Sequence, residues 1–585
     1  MSHDHSLRTQ AASPVHRAVW EDDVPVELFD SAEPEVSPAA RAVMDASVVA
    51  VRRFATEGHL YGEDGFVSGE VVAELARIGY WGLRVPLAYG GSGASFPAYA
   101  QSLTQVATAD PWVGVLGSLQ AALGPVTTLN LFADETQRRR LLPPLARGDR
   151  LGAFAMTEPQ TSSDLGAMRT EATRVGDELL LTGEKLLITN AVPGHTATVL
   201  CRVDGDLRVL MVELPDVEDD GFRTVPHPVR AFRHVPNRGL LFDRLPVPAG
   251  NLLAGHGRAI AYGTLNYGRV AVCAGSGGLL TRATASLVPW VQHRTSFGAP
   301  IGSRELVRLR LGRLAARIVG CEAVALWAAQ LLAHGYRGEL EGVLAKVFGS
   351  EMLKEAAVDL VLKTHGGRAL LAGNAFADDA FDFLAPTVYE GENEIVTLGF
   401  FRALARAHAE DVLAPLNQAL RTASSSPGRV WRATRPAVSY AGWLARRHLE
   451  PAPRRPVPVD LDGQTQCALR LLRRSGLDVD AALRRYGTAL ADRQALMLEV
   501  AQRVQAATAM LVVSRYGLRQ ADPLRRQAAA CLAAELGHRL TGQRPTPAYH
   551  RLVTELGGEV AGGRFAALQG VAVSKPALLT HLPPA

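Results

Sequence analysis

Val388-Tyr389-Glu390-Gly391-Glu392-Asn393-Glu394-Ile395, running directly into the apolar-periodic stretch IVTLGFFRALAR, reads as a tight turn that opens a helix. Acids at a helix N-terminus are ordinarily explained by the helix macrodipole, and that explanation suffices for Glu392 and Glu394. It leaves Tyr389-Glu390-Gly391 unexplained, placed after Gly366-Gly367 and just ahead of the helix.

Outward from this turn, the chain organises itself by periodicity. Residues 256–421 are long and helical, with apolar positions recurring every three and four residues as bundle helices require. Residues 151–255 carry short β-rich runs (GAFAMTEP, ELLLTGEKLLITN, ATVLCRV, LRVLMVEL, RGLLFDRLPVP) separated by Gly-Asp and Asp-Gly turns. Residues 37–150 are helical again, with an N-cap expected at Ser68 ahead of VVAELARIGYWGL. Tyr89-Gly90-Gly91-Ser92-Gly93 has no preceding strand and no following Lys-Ser/Thr, so it is read as a helix–helix turn, not a phosphate loop.

Residues 1–36 read as a flexible leader and 422–460 as a Pro/Ser/Arg-rich linker, with a further helical domain over 461–585. The expected architecture is mostly α with an inserted β-domain. It comprises an N-terminal helical domain, a middle β-barrel or sandwich, a four-helix bundle and an extra C-terminal helical domain.

At 585 residues the chain is too long for one ordinary core. Its 47% apolar and 21% charged content is that of a globular protein, and a formal charge of +4 gives no reason to expect a nucleic-acid partner. Five scattered cysteines without CxxC spacing read as buried thiols in a reducing compartment, and no metal site is expected. The N-terminus MSHDHSLRTQ lacks the apolar core of a secretory signal, and no run of about 18 consecutive apolar residues is present. A cytoplasmic location is the expectation.

Three further segments carry the chemistry. Ala155-Met-Thr-Glu-Pro-Gln-Thr-Ser-Ser-Asp-Leu-Gly-Ala167 resembles the M/L-T-E-P-x-x-G-S-D signature of acyl-CoA dehydrogenases, with Ser162 at the usual glycine. Gly183-Glu-Lys-Leu-Leu-Ile-Thr-Asn190 resembles that family's GxKxWITN strand, with Leu187 at the tryptophan. Arg294-Thr-Ser-Phe-Gly-Ala-Pro-Ile301 resembles its RxxFGxPI element, with Glu305 where a glutamine usually follows. Gly366 and Gly367 match its Q-x-x-G-G, with Lys363 at the glutamine, and residues 388–395 resemble I-Y-E-G-T-x-E-I. The helical run LRRYGTALADRQALMLEVAQRVQAATAMLVVSR resembles the C-terminal extension of the very-long-chain members.

The resemblance implies FAD as cofactor. Phe154, Met156, Thr157, Leu187 and Thr189 would lie at its flavin end, with Thr157 on the pyrimidine edge and Thr189 near N5, and Ser163 near its diphosphate and the substrate. Glu392 and Glu394 are also placed near FAD. Arg294 and Phe297, with Glu305, Lys363, Gly366 and Gly367, would serve the diphosphate and adenosine end of a neighbouring subunit's FAD. It implies substrate contacts from Ser163, Asn266, Tyr267, Arg269 and Gly391, and Glu390 as catalytic base. Relatives that draw the base from an earlier helix place it one residue before an arginine. That position is Gly268, beside Arg269.

The implied reaction is α,β-dehydrogenation of an acyl-CoA thioester by a homodimer that passes electrons to an electron-transfer flavoprotein. An oxidase-like or acyl-carrier-protein-directed enzyme is the alternative, and a non-catalytic assembly partner another. Small residues at Gly117, Ser118, Ala121, Ala122 and Gly124 read as close helix packing or as room for a long chain. The basic segment around Trp443-Leu-Ala-Arg-Arg-His448 and Arg454-Arg455 is expected to be a solvated linker rather than a membrane contact.

Overall fold

Sequence periodicity becomes structure first in the N-terminal helices. The computed structural model describes residues 13–422, 427–451 and 456–571. Helices α1 (Pro14–Trp20), α2 (Pro38–Glu57), α3 (Gly69–Ile78), α4 (Phe96–Ala109), α5 (Pro111–Ala121), α6 (Pro125–Phe132) and α7 (Glu135–Arg147) precede the sheet. Ser68 caps α3 as expected, its side chain accepting from Val71 N. The Gly-rich turn after α3 is a packing device: a Cβ at Gly91 would lie 2.1 Å from the Val85 carbonyl oxygen and 2.4 Å from that of Gly82.

The β-domain is one mixed sheet. Strands β1 (Gly152–Ala155), β2 (Glu171–Val175), β3 (Glu178–Thr189), β4 (Thr196–Val203), β5 (Asp206–Glu213), β6 (Phe222–Pro226) and β7 (Asn237–Pro248) pair in the order β1-β4-β2-β3-β7-β6, with β5 on β4. β4 runs parallel to both β1 and β2; the remaining pairs are antiparallel. A buried ion pair ties its two motifs together. Lys185 Nζ lies 2.9 Å from Glu158 Oε1 and also donates to the Met156 and Leu200 carbonyls, while Glu158 accepts from the Arg169 and Thr170 amides. Burial works against both charges, yet Lys185 and the amides hold the Glu158 carboxyl below its usual range.

The bundle is built on α8 (Gly257–Ala285), followed by α9 (Leu287–His293), α10 (Glu305–Ala333), α11 (Glu339–Glu355) and α12 (Asn393–His408). α8 packs against α4, α10 and α11 and is buried along nearly its whole length. Helices α13 (Ala414–Thr422), α14 (Pro427–Leu449), α15 (Leu461–Tyr486), α16 (Gln494–Leu518), α17 (Pro523–Thr541) and α18 (Pro547–Ala561) complete the chain. Glu535 of α17 locks this block to the bundle by accepting from Arg313 and Arg317 of α10, both at 2.8 Å. The five cysteines are buried and unpaired.

Two expectations are corrected. The leader is folded from Ser13 onward: Val15, Val19 and Phe29 are fully buried, and Trp20 Nε1 donates to the Leu404 carbonyl. The linker contains α14, whose Trp443 and Arg447 contact Trp20 and Glu21 and whose Tyr440 donates to Asp480. Arg454 and Arg455 lie outside the described residues.

Although no 18-residue run is uninterruptedly apolar, three stretches among the described residues are long and apolar enough to cross a bilayer. They are Pro111–Phe132, Glu305–Ala333 and Gln494–Leu518, and 72%, 89% and 67% of their most apolar windows are buried in the molecule.

Candidate active site

A cavity of about 1290 Å³ opens between the sheet, α5, α8 and the turn before α12. That exceeds the roughly 300–1,000 Å³ typical of a pocket for one small ligand. The Glu158–Lys185 pair sets its sheet wall. By tying the segment after β1 to β3, and with Leu186 N donating to Thr157 O at 2.9 Å, it presents Thr157 beside Leu187 and Thr189 of β3. Leu187 sits at a break in the β3–β7 register with φ +57°, so the strand bulges and turns this half-exposed side chain toward the cavity. Asn237 Nδ2 donates to Thr189 Oγ1 at 3.0 Å, which leaves the Thr189 hydroxyl proton to point at a ligand.

Glu390 faces this wall from the opposite side. Its φ is +57°, a left-handed conformation that costs a non-glycine residue roughly 1–3 kcal/mol and needs support from its surroundings. The support is Lys346 on α11. Its ammonium is fully buried and donates to the Gly391 carbonyl (2.6 Å), the Asn393 side-chain oxygen (2.6 Å) and the Thr387 carbonyl (3.3 Å). One cation thus holds the turn on both sides of Glu390. Glu392 caps α12, its carboxylate accepting from the Glu394 and Ile395 amides, both at 3.0 Å.

The Glu390 Oε2 atom is buried and makes no hydrogen bond. A Cβ placed on Gly268 would stand 2.6 Å from it, so the bare glycine is what admits the carboxylate against α8. Burial pushes the Glu390 carboxyl up to about 7, against the opposing pull of Arg269 and then Lys346. Arg269 is itself buried, and Lys346 is pushed down to about 8 by the same loss of water. A carboxylate of this basicity, unpartnered and facing a cavity, is poised to take a proton.

Profile models of the acyl-CoA dehydrogenase N-terminal, middle and C-terminal domains match residues 35–149, 153–245 and 255–404. An acyl-CoA dehydrogenase of Bacillus subtilis is 30% identical over 334 residues, covering 56% of this chain and 88% of its own. The chain belongs to the acyl-CoA dehydrogenase family. It is an oxidoreductase acting on a CH–CH bond. A probable acyl-CoA dehydrogenase of Mycobacterium tuberculosis is 29% identical over 437 residues, 71% of this chain and 66% of its own. An FAD-complexed acyl-CoA dehydrogenase from Bacillus anthracis shares the fold over 94% of this chain and 98% of its own, with a TM-score of 0.75 at 20% identity. The C-terminal helical extension is part of that shared fold.

Within this family member, Phe154, Met156, Thr157, Ser163, Leu187, Thr189, Asn266, Tyr267, Arg269, Glu390, Gly391 and Glu392 all line the one cavity. Arg294, Phe297, Glu305, Lys363, Gly366, Gly367 and Glu394 do not. They are exposed, and the structure does not bring them to the cavity of their own chain. Arg294 packs instead on Trp290, as does Arg368, and Trp290 Nε1 donates to the Thr364 carbonyl. Lys363 pairs with Asp359 at 2.6 Å, and Phe297 is 97% exposed.

Sequence reading missed Lys346 and Asp382. Asp382 accepts from Phe232 N at 2.7 Å, keeps Oδ2 buried without a partner, and is pushed up to about 7 by burial. A signal for Lys346 did exist. The chain has only five lysines, and the two that are fully buried among the described residues each clasp a motif segment.

Proposed function

We propose that this chain dehydrogenates an acyl-CoA thioester to the trans-2-enoyl product, with Glu390 taking the α-proton. The observation that carries this reading is the Glu390 carboxylate: basic through burial, without a hydrogen-bond partner at Oε2, and seated against Gly268 in the shared cavity. The hydroxyls of Thr157, Ser163 and Thr189 and the bulged strand at Leu187 suit an FAD ring, which they can hold without redox chemistry of their own. FAD held there would supply the acceptor for the β-hydrogen as hydride.

Every other contribution comes from the chain. Lys346 holds the turn so that the carboxylate keeps its place, and Arg269 and Lys346 keep enough positive charge nearby for Glu390 to ionise near neutrality. A thioester entering the cavity excludes water, which strengthens the base further. Asn266 and Tyr267, which immediately precede Gly268 on α8 and line the cavity, would border the carrier side of the reacting carbon.

An electron-transfer flavoprotein is proposed as acceptor and a homodimer as the working unit. The exposed Arg294–Phe297 segment would then serve the neighbouring subunit's cofactor. A carrier-protein thioester is the second reading, supported by fold likeness to a prolyl acyl carrier protein oxidase (TM-score 0.57 at 21% identity).

The test is anaerobic mixing of the yellow holoenzyme with acyl-CoA. Wild type should bleach, and Glu390→Gln should keep its flavin spectrum but lose about 10²–10⁴-fold in bleaching rate. Bleaching by Glu390→Gln at the wild-type rate would remove Glu390 as base.

A further inference from the structure

The cavity does not stop at Glu390. It follows one face of α8 from Arg258 at the carrier end, past Gly268, to Leu279 in the middle of the bundle. The inner stretch is walled by Ala107, Trp112, Val115, Gly275, Ser276 and Leu279. Gly275 sits in the middle of a buried 29-residue helix yet remains partly solvent-reachable, and a Cβ there would meet nothing within 4 Å.

A buried hydroxyl also lines this space. Ser276 is 3% exposed and its Oγ has no hydrogen-bond partner. Other buried hydroxyls of the same helix, Thr281 and Thr284, bond back to the carbonyl four residues earlier. Ser276 instead lines the arm. Of the small residues singled out by sequence, only Ser118 borders it, because Gly117 packs on Tyr80 and Gly124 on the Leu119 carbonyl.

From Gly268 to Leu279 the helix advances about 16 Å, and a staggered hydrocarbon chain advances about 1.3 Å per carbon. We propose that this inner arm holds a straight acyl chain of about twelve to sixteen carbons, a substrate class resting on the reading of Glu390 as the base that meets the α-carbon. The wall is apolar except for Ser118 and Ser276, so selection is by buried length rather than by recognition of a polar tail.

The experiment uses holoenzyme with straight-chain acyl-CoAs of graded length from butyryl to eicosanoyl. Dissociation constants are taken on Glu390→Gln and bleaching rates on wild type. Affinity should tighten by about fourfold per added methylene until the arm is filled near tetradecanoyl, then level off. Gly275→Leu adds a stronger helix former and obstructs the arm two turns beyond Gly268. It should weaken tetradecanoyl-CoA binding at least tenfold while octanoyl-CoA binding stays within twofold. Val115→Phe, from the opposite wall, should do the same if Gly275→Leu fails to fold. Tightest binding of butyryl-CoA, or an unchanged length profile in the folded variants, would overturn the proposal. Length-dependent binding without bleaching by any chain would overturn the base assignment and leave the arm standing.

Discussion

Gly268→Ala separates the fold from the chemistry with a single methyl group. The added Cβ would stand 2.6 Å from Glu390 Oε2 and 3.1 Å from its Cδ, whereas ordinary contact begins near 3.4 Å. The carboxylate must therefore retreat by roughly 0.8 Å. Because it is the far end of a flexible side chain, the retreat is cheap for the fold. Leu123 Cδ1, at 2.9 Å, can give in the same way.

The helix gains up to about 1 kcal/mol from replacing a mid-helix glycine by alanine, so the melting temperature should hold or rise slightly. For the reaction, a displacement near 1 Å from attack geometry costs on the order of 10²-fold. We expect anaerobic bleaching to slow by about 30–100-fold, with flavin content unchanged. Stopped-flow reduction and thermal denaturation on one preparation test both halves. Wild-type bleaching by a folded, flavin-replete Gly268→Ala enzyme would refute the argument that Gly268 makes room for the base.

Four further outcomes follow from buried charges. In wild type, kcat/KM should rise with pH through an acid limb near 7, because Glu390 must be ionised and burial has raised it. Lys346→Met removes a cation that opposes that rise, so the limb should move alkaline; a lower rate without a moved limb would confine Lys346 to holding the turn. Lys185→Met strands the Glu158 carboxylate in the sheet and should cost about 3–5 kcal/mol, seen as a lower melting temperature and early flavin release.

Glu535→Gln should cost about as much by leaving the buried Arg317 guanidinium under-compensated. Burial alone would raise the Glu535 carboxyl, but Arg317 and Arg313 hold it well below the usual carboxylate range. The pair's stabilisation is thus present above the ordinary carboxylate pKa and lost as pH falls into the acid range. Acid-side melting should be blunted in the variant, and an unchanged acid profile would speak against the link.

What was legible in the sequence was whatever depends on residues adjacent in the chain. The order of helical and β segments, the Ser68 cap, the motif threonines and the Tyr389-Glu390-Gly391 turn all express local periodicity, capping or short spacing. The same locality misled for the leader and the linker. α1 is seven residues long and gains its stability from Trp20 and Val19 packed onto distant helices, while α14 gains its own from Trp443 on Trp20.

Only the tertiary structure decided the site's working parts. Lys346 lies 44 residues before Glu390 and Gly268 a further 78, and their roles exist only once α8 and α11 pack against the turn. Sequence named Glu390 as the base and Gly268 as the position without one. Packing showed why a single residue can hold the space: a side chain at 268 and the carboxylate of 390 would compete for the same few ångströms, and close-packed interiors admit only one of them.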